Sequence, residues 1–316
     1  MGYGITIPFD GVTLAEHRPW IEELTELGYT DVWSSEADGT DAFTPLALAA
    51  AWNPDLRLGT AIVPAFTRGP ALVAQSAAAL AEAAPGRFVL GVGTSSDVIV
   101  ERWNDIPFDE PYKRTRDLVR FLRQALSGEK VDAELDTFRV RGFRLGRPPA
   151  VVPPILVAGL RSGMLRLAGR EGDGAIINWL GAEDVPKVVS EVGEGKEIVA
   201  RIFVYPTEDL GMVRAVGRRM ITAYLNVPVY AAFHEWLGRG PLLEGMWSAW
   251  TAGDRKAALD AVPDEVLDAL IIHGSPGSVR EQVQRYMDNG VTTAALAVVS
   301  FGLDLRTAVR DLAPGR

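Results

Sequence analysis

The chain is expected to fold as an α/β protein, a closed parallel (β/α)8 or TIM barrel, forming one domain over residues 1–316. Three observations carry this expectation. Short apolar runs alternate with helical patterns along the whole length. The runs are continuously apolar rather than alternating, as strands buried on both faces are. Eight such runs can be counted, the number that closes a barrel.

The first strand is Tyr3 to Pro8, followed by a helix from Leu14 to Leu27 that Gly28 closes. Asp31 to Ser35 is the second strand, with a helix around Pro45 to Trp52. Leu56 to Pro64 is the third, and the alanine-rich stretch Pro70 to Ala84 its helix. Phe88 to Gly93 is the fourth strand, with helical patterns reaching Ser127. Thr137 to Phe143 alternates polar and apolar residues, which marks an inserted hairpin arm after strand 4. Pro154 to Asn178 reads as strand five from Ile155 to Ala158, a turn, a helix and strand six. Ile198 to Tyr205 is the seventh strand and Ala294 to Val299 the eighth, before a last helix from Leu303 to Leu312. About 90 residues separate strands 7 and 8, more than one helix needs. Met212 to Leu225, Val229 to Leu237 and Lys256 to Leu270 supply extra helices there.

Composition narrows the function. Zero cysteines exclude disulfides and cysteine-ligated zinc, and only three histidines make a histidine-rich metal site improbable, so no metal is expected. With 32 basic and 41 acidic residues, the net charge of −9 argues against a nucleic-acid surface. No run of about 18 apolar residues points to a membrane span. The opening MGYGITIPFDG lacks the pattern of a secretory signal, so a cytoplasmic location is expected.

Barrel chemistry sits at the carboxyl ends of the strands. Those ends offer Ser34, Ser35 and Glu36, then Ala61 and Ile62, then Gly93, Thr94, Ser95 and Ser96, then Asn178 and Trp179. The set contains no cysteine, no lysine and no serine–histidine pair, which disfavours Schiff-base and triad chemistry. It suits a site where a bound cofactor does the hard step. Gly159, Leu160, Arg161, Ser162 and Gly163 turn strand five into a helix start, a place that favours a phosphate and to which Arg161 adds a charged fork. An ordinary βαβ turn without ligand reads the same way.

Four segments, YTDVWSSEADGTDAFTPLALAAA, RLGTAIVPAFTRGP, GRFVLGVGTSSDVIVERW and PPILVAGLRSGMLRLAGREGDGAI, together resemble the luciferase-like monooxygenase superfamily. Within it the chain looks like the coenzyme F-420 (5-deazaflavin)-dependent oxidoreductases; the late HGSPGSVREQVQRYMDNGVTTAAL fits as well. The resemblance implies hydride transfer between coenzyme F-420 and a small organic substrate. It leaves open an FMN-dependent monooxygenase on the same barrel, or a non-catalytic deazaflavin-binding protein. It implies a homodimer, for which the helix Ala71 to Ala84 is a candidate face.

Position by position, the family's Asp-His pair after strand two reads Glu36-Ala37 here, keeping the carboxylate without the histidine. The family's bulge, often a non-prolyl cis peptide, falls at Ala61-Ile62. The glutamate of its sugar-phosphate dehydrogenase branch is replaced by Ser96. Leu160, Arg161, Ser162 and Gly163 match the cofactor-phosphate turn, and Asn178 a further cofactor contact. The expected cofactor set is therefore Ser35, Glu36, Ala61, Ile62, Gly93, Thr94, Ser96, Gly159 to Gly163 and Asn178. Glu36 is the candidate catalytic acid, its pKa raised beside an apolar ring; the competing role is a cap or an arginine partner. Trp179, Trp247 and His273 are candidate substrate-pocket residues. The segment around Trp247 and the loop of His273 also admit purely structural roles. Arg214, Arg218 and Arg219 are either contacts for an acidic cofactor tail or a solvated helix face.

Overall fold

The computed structural model describes residues 1–315. Eight parallel strands close a barrel: β1 (Gly2–Ile7), β2 (Asp31–Ser34), β3 (Arg57–Thr60), β4 (Phe88–Gly93), β5 (Ile155–Ala158), β6 (Gly174–Asn178), β7 (Glu197–Tyr205) and β8 (Thr293–Val298). β8 pairs with β1, setting Ala294 opposite Tyr3, and β7 pairs with β6, setting Ile198 opposite Ala175. Closure leaves no barrel edge for another chain to join. Two short strands add to the rim, Val63–Pro64 on β4 and Ile271–His273 on β7. The expected arm is an antiparallel hairpin of Val131–Glu134 and Arg139–Phe143.

Three expected elements are broken, each at an identifiable place. The third strand stops at Thr60 and resumes at Val63, with the cis Ala61-Ile62 peptide between. The expected helix Leu14 to Leu27 is a 3-10 turn, Leu14–Glu16, and a short helix, Arg18–Glu23, with Pro19 in its first turn. Proline lacks the N–H that would continue the preceding turn, so it starts a helix better than it extends one. Pro263 likewise divides Lys256 to Leu270 into Arg255–Asp260 and Asp264–Leu270.

The barrel interior is a small cluster of Trp33, Val89, Leu156, Ile176, Val199 and Ala295. Trp33 is wholly buried and dominates it. Its indole occupies the space in front of Gly59, where an added Cβ would lie 2.1 Å from the ring. At the amino-terminal end Arg57 reaches Glu197 through two hydrogen bonds of 2.6 and 2.7 Å and Asp31 at 3.2 Å. These contacts tie β2, β3 and β7 beneath Trp33.

Inward positions recur every second residue along a strand. Two residues on from the interior cluster stand Ser35, Gly91, Ala158, Asn178, Arg201 and Ala297. Most are small. That change in size from Trp33 upward opens a space at the carboxyl end, and Arg201 is the long charged side chain left beneath it.

Candidate active site

The space is a cleft of about 760 Å³ at the carboxyl ends of the strands. Of the expected residues, Ser35, Glu36, Ala61, Ile62, Thr94, Ser96, Gly159 to Gly163 and Asn178 line it. Gly93, Trp179, Trp247 and His273 are not among its lining residues.

The cis Ala61-Ile62 peptide forms the floor's edge and is clamped to the loop after β2. The Ala61 N–H donates to the Ser34 carbonyl at 2.6 Å, and the Glu36 N–H donates to the Ile62 carbonyl at 3.1 Å. Gly93 sits behind this bulge. An added Cβ would stand 2.9 Å from the Ala158 Cβ and 3.2 Å from the Ile62 side chain, so glycine lets the two neighbours close up.

The surroundings of Glu36 differ from the apolar setting expected for a general acid. Its carboxylate accepts from Arg68 Nε at 3.1 Å and Arg68 Nη2 at 2.8 Å, and from the Ala42 N–H at 3.2 Å. Arg68 also lies over the Phe43 ring, 5.2 Å from its centroid. The hydrogen bonds that Arg68 donates to Glu36 raise the Arg68 pKa. Glu36 accepts in all of these contacts. It holds the rim loop as a bidentate ion pair, a geometry suited to orientation rather than to proton donation.

The turn after β5 leads into the helix Ser162–Glu171, whose N-cap residue Arg161 makes no side-chain cap. Its first N–H groups lie beyond the reach of intrahelical acceptors. Gly159 is crowded by the helix start, with Leu165 N 3.1 Å from an added Cβ, whereas Gly163 faces open space. The exposed Arg161 guanidinium has no ion pair or hydrogen bond among the described residues. The Ser162 hydroxyl donates instead to Glu191 at 2.8 Å. Uncapped N–H groups, an open glycine and a free guanidinium fit a phosphate. Among the described residues, no group of histidines or carboxylates could hold a metal.

Two rim residues adopt left-handed backbone without being glycine, Ser95 at φ +64° and Trp179 at φ +54°. Such conformations cost of order 1–3 kcal/mol and mark strand ends that tertiary packing holds in place. Trp179 is buried, 4.3 Å centroid to centroid from Phe203 and 4.7 Å from Tyr224. Tyr224 meets Tyr230 edge-on at 5.9 Å. Trp179 therefore backs an aromatic wall and does not face the cleft. Tyr224, Tyr230 and Trp236 do line the cleft. They come from the inserted helices Leu210–Leu225 and Pro228–Leu237, and sequence analysis assigned none of them.

The other two pocket candidates also lie outside the cleft lining. Trp247, on the helix Gly240–Thr251, donates its Nε1 hydrogen to the Leu225 carbonyl at 2.8 Å. His273 ends a rim strand, with Nδ1 3.0 Å from the Ile271 carbonyl and Nε2 3.7 Å from Asp268. Arg214 and Arg218 pair with Asp264, at 3.1 and 3.0 Å, so both belong to a helix–helix contact.

His234 anchors the helix that carries Tyr230 and Trp236. It is wholly buried, and desolvation first, then Arg239, pushes its pKa down from 6.5 to about 3 against the opposing pull of the Trp179 backbone. The unfolded chain binds this proton through a range in which the folded chain does not. Stability therefore falls as pH drops below about 6.5, by up to ~1.4 kcal/mol per unit. Between pH 7.5 and 5.0 the loss expected from His234 is about 2 kcal/mol. Asp31, whose pKa burial raises, works in the opposite sense but is present in any His234 variant. Urea denaturation at the two pH values should show a smaller drop for His234→Phe than for wild type. Equal drops would show that His234 does not set the slope.

A family model described as luciferase-like monooxygenase matches residues 1–293. The chain belongs to that family. Two relatives lie in the same range of similarity. The 5,10-methylenetetrahydromethanopterin reductase of Archaeoglobus fulgidus is 25% identical over 289 residues, covering 86% of each chain. The coenzyme F-420-dependent glucose-6-phosphate dehydrogenase of Intrasporangium calvum is 28% identical over 302 residues, covering 89% of this chain and 82% of the relative. Among solved structures, the coenzyme F-420-dependent tetrahydromethanopterin reductase of Methanopyrus kandleri superposes with a TM-score of 0.76 at 19% identity, covering 99% and 97% of the two chains. That likeness shows the barrel fold.

Proposed function

We propose that this chain is an oxidoreductase that exchanges a hydride between coenzyme F-420 and a small organic substrate. The observation that carries the reading is the uncapped helix start at Ser162 with the unpaired Arg161, opening into the same cleft as the cis Ala61-Ile62 bulge. The activities named for the two relatives support the same class. When bound, the deazaflavin supplies a hydride-carrying carbon, C5, and lacks the ring nitrogen through which flavins react with oxygen.

The residues divide the remaining tasks. Gly163, Ser162 and Arg161 hold the phosphate with backbone N–H groups and a guanidinium. The bulge at Ala61-Ile62 backs the ring. The Glu36–Arg68 pair fixes the loop that carries Ser35. Tyr224, Tyr230 and Trp236 cover the cleft and exclude water, which strengthens each polar contact beneath them. Ser96 stands where the family resemblance places the glutamate of sugar-phosphate dehydrogenases, so a different substrate is proposed here.

Titration with oxidised coenzyme F-420 and, separately, with FMN tests the reading through absorbance and tryptophan fluorescence. Micromolar saturation by coenzyme F-420 with much weaker FMN binding is expected. Tighter binding of FMN would move the protein to oxygen-dependent chemistry, and binding of neither would remove the cofactor assignment. Tight coenzyme binding with no hydride transfer to any of a broad set of carbonyl compounds would favour a carrier.

A further inference from the structure

Arg201 is the charged group of the cleft that no part of the proposed cofactor site employs. It sits on β7, two residues on from the barrel-filling Val199, which puts it on the inward face. Its neighbour across the sheet is Asn178 of β6. Its guanidinium rests on the Phe203 ring at 4.9 Å, and its Nε is sealed from solvent without a hydrogen-bond partner. No carboxylate pairs with it among the described residues. The one acidic residue lining the cleft, Glu36, is already held by Arg68. A chain with a net charge of −9 thus keeps in a single cleft two cations, Arg161 and Arg201, without a carboxylate among the described residues.

A half-buried guanidinium without a carboxylate is costly, because it forfeits hydration and receives only the Phe203 ring in return. Burial does lower its pKa, yet an arginine remains charged at any ordinary pH. Two donors stand with it. The Asn178 amide donates to the Tyr230 hydroxyl at 3.4 Å, so the Tyr230 O–H is free to point elsewhere. Burial raises the Tyr230 pKa, which keeps that proton in place. Tyr224 and Trp236 line the same cleft.

We infer that Arg201, with Tyr230, forms a second anion subsite that receives the carboxylate of a planar, apolar substrate stacked against Tyr224 and Trp236. A planar fork matches a carboxylate edge-on. A single positive charge balances a monoanion, whereas a phosphate would call for more. The word substrate rests on the hydride-transfer reading; the binding itself does not.

Cinnamate and its neutral counterpart cinnamamide serve as probes, followed by tryptophan fluorescence or calorimetry on the whole chain, with and without coenzyme F-420. Wild type is expected to prefer cinnamate by about tenfold or more, the scale of one charge-assisted hydrogen bond. Arg201→Met should reduce that preference to within about twofold, and Arg201→Lys, which keeps the charge and loses the fork, should retain part of it. Arg161→Met should leave the preference intact. Equal binding of the two probes by wild type would overturn the subsite. So would a preference that survives in a folded Arg201→Met protein or disappears in Arg161→Met. Coenzyme binding on the same samples separates the two claims. Intact coenzyme binding without anion preference removes the Arg201 subsite alone. Anion preference without coenzyme binding keeps the subsite and removes the hydride-transfer reading.

Discussion

Trp33→Ala is expected to destabilise the chain by roughly 3–5 kcal/mol and to lower Tm by roughly 5–8 °C. The indole is wholly buried at the barrel axis, where its neighbours are Val89, Leu156, Ile176, Val199 and Ala295 on five other strands. A cavity there cannot collapse easily, because the hydrogen bonds of a closed barrel fix the strand spacing. Gly59 supplies an internal control. A methyl group at Gly59 would stand 2.1 Å from the Trp33 ring, so Gly59→Ala should be strongly destabilising in wild type and far milder in Trp33→Ala. Denaturant titration of the two single variants and the double variant measures this coupling. Additive losses would mean that the two residues do not share the barrel's centre, and a loss below about 1 kcal/mol for Trp33→Ala would mean that the interior is not packed around it.

The same packing explains what could be read from the sequence. β4 and β5 were legible to the residue, since parallel strands buried on both faces leave continuous apolar runs such as FVLGVG and ILVA. The turn from Ala158 to Gly163 was legible because it is local: a strand end, a glycine pair and a helix start lie within one short segment. The divisions at Pro19 and Pro263 were written in the sequence too, in the residue that cannot continue a helix. Ile271–His273 was not legible. It is a strand only because β7 extends far enough to pair with it, and the glycine and proline after it read as loop.

The aromatic wall was hidden for a similar reason. Nothing in the helical spacing of Tyr224, Tyr230 and Trp236 says that their helices return to the barrel mouth rather than pack elsewhere. Trp179 misled because a residue after a strand end usually faces the cleft; its left-handed backbone goes with a side chain packed on Phe203 and Tyr224. Arg201 had one sequence signal, a lone charge inside IVARIFVY. Alternation from Val199 places that charge inside the barrel, and only the absence of an acidic partner among the described residues gives it a role.

Arg161 carries the second large expected effect. Arg161→Met should weaken coenzyme F-420 binding about 10- to 100-fold, the worth of a charged hydrogen-bonding group at roughly 1.5–3 kcal/mol. The side chain is exposed and has no partner among the described residues, so removing it should leave Tm nearly unchanged. This separates binding from folding, which the half-buried Glu36–Arg68 pair would not allow. The effect should also depend on the ligand. A deazaflavin bearing the ribityl chain without phosphate should bind wild type and Arg161→Met alike, because the lost contact is to the phosphate alone. Raising the salt concentration should narrow the difference for the full coenzyme, since an exposed charge is screened within about 10 Å at 0.1 M salt. Equal weakening of both ligands would instead assign Arg161 to the ring or the loop conformation. Unchanged affinity for both would leave the uncapped N–H groups of the helix Ser162–Glu171 as the phosphate's main support.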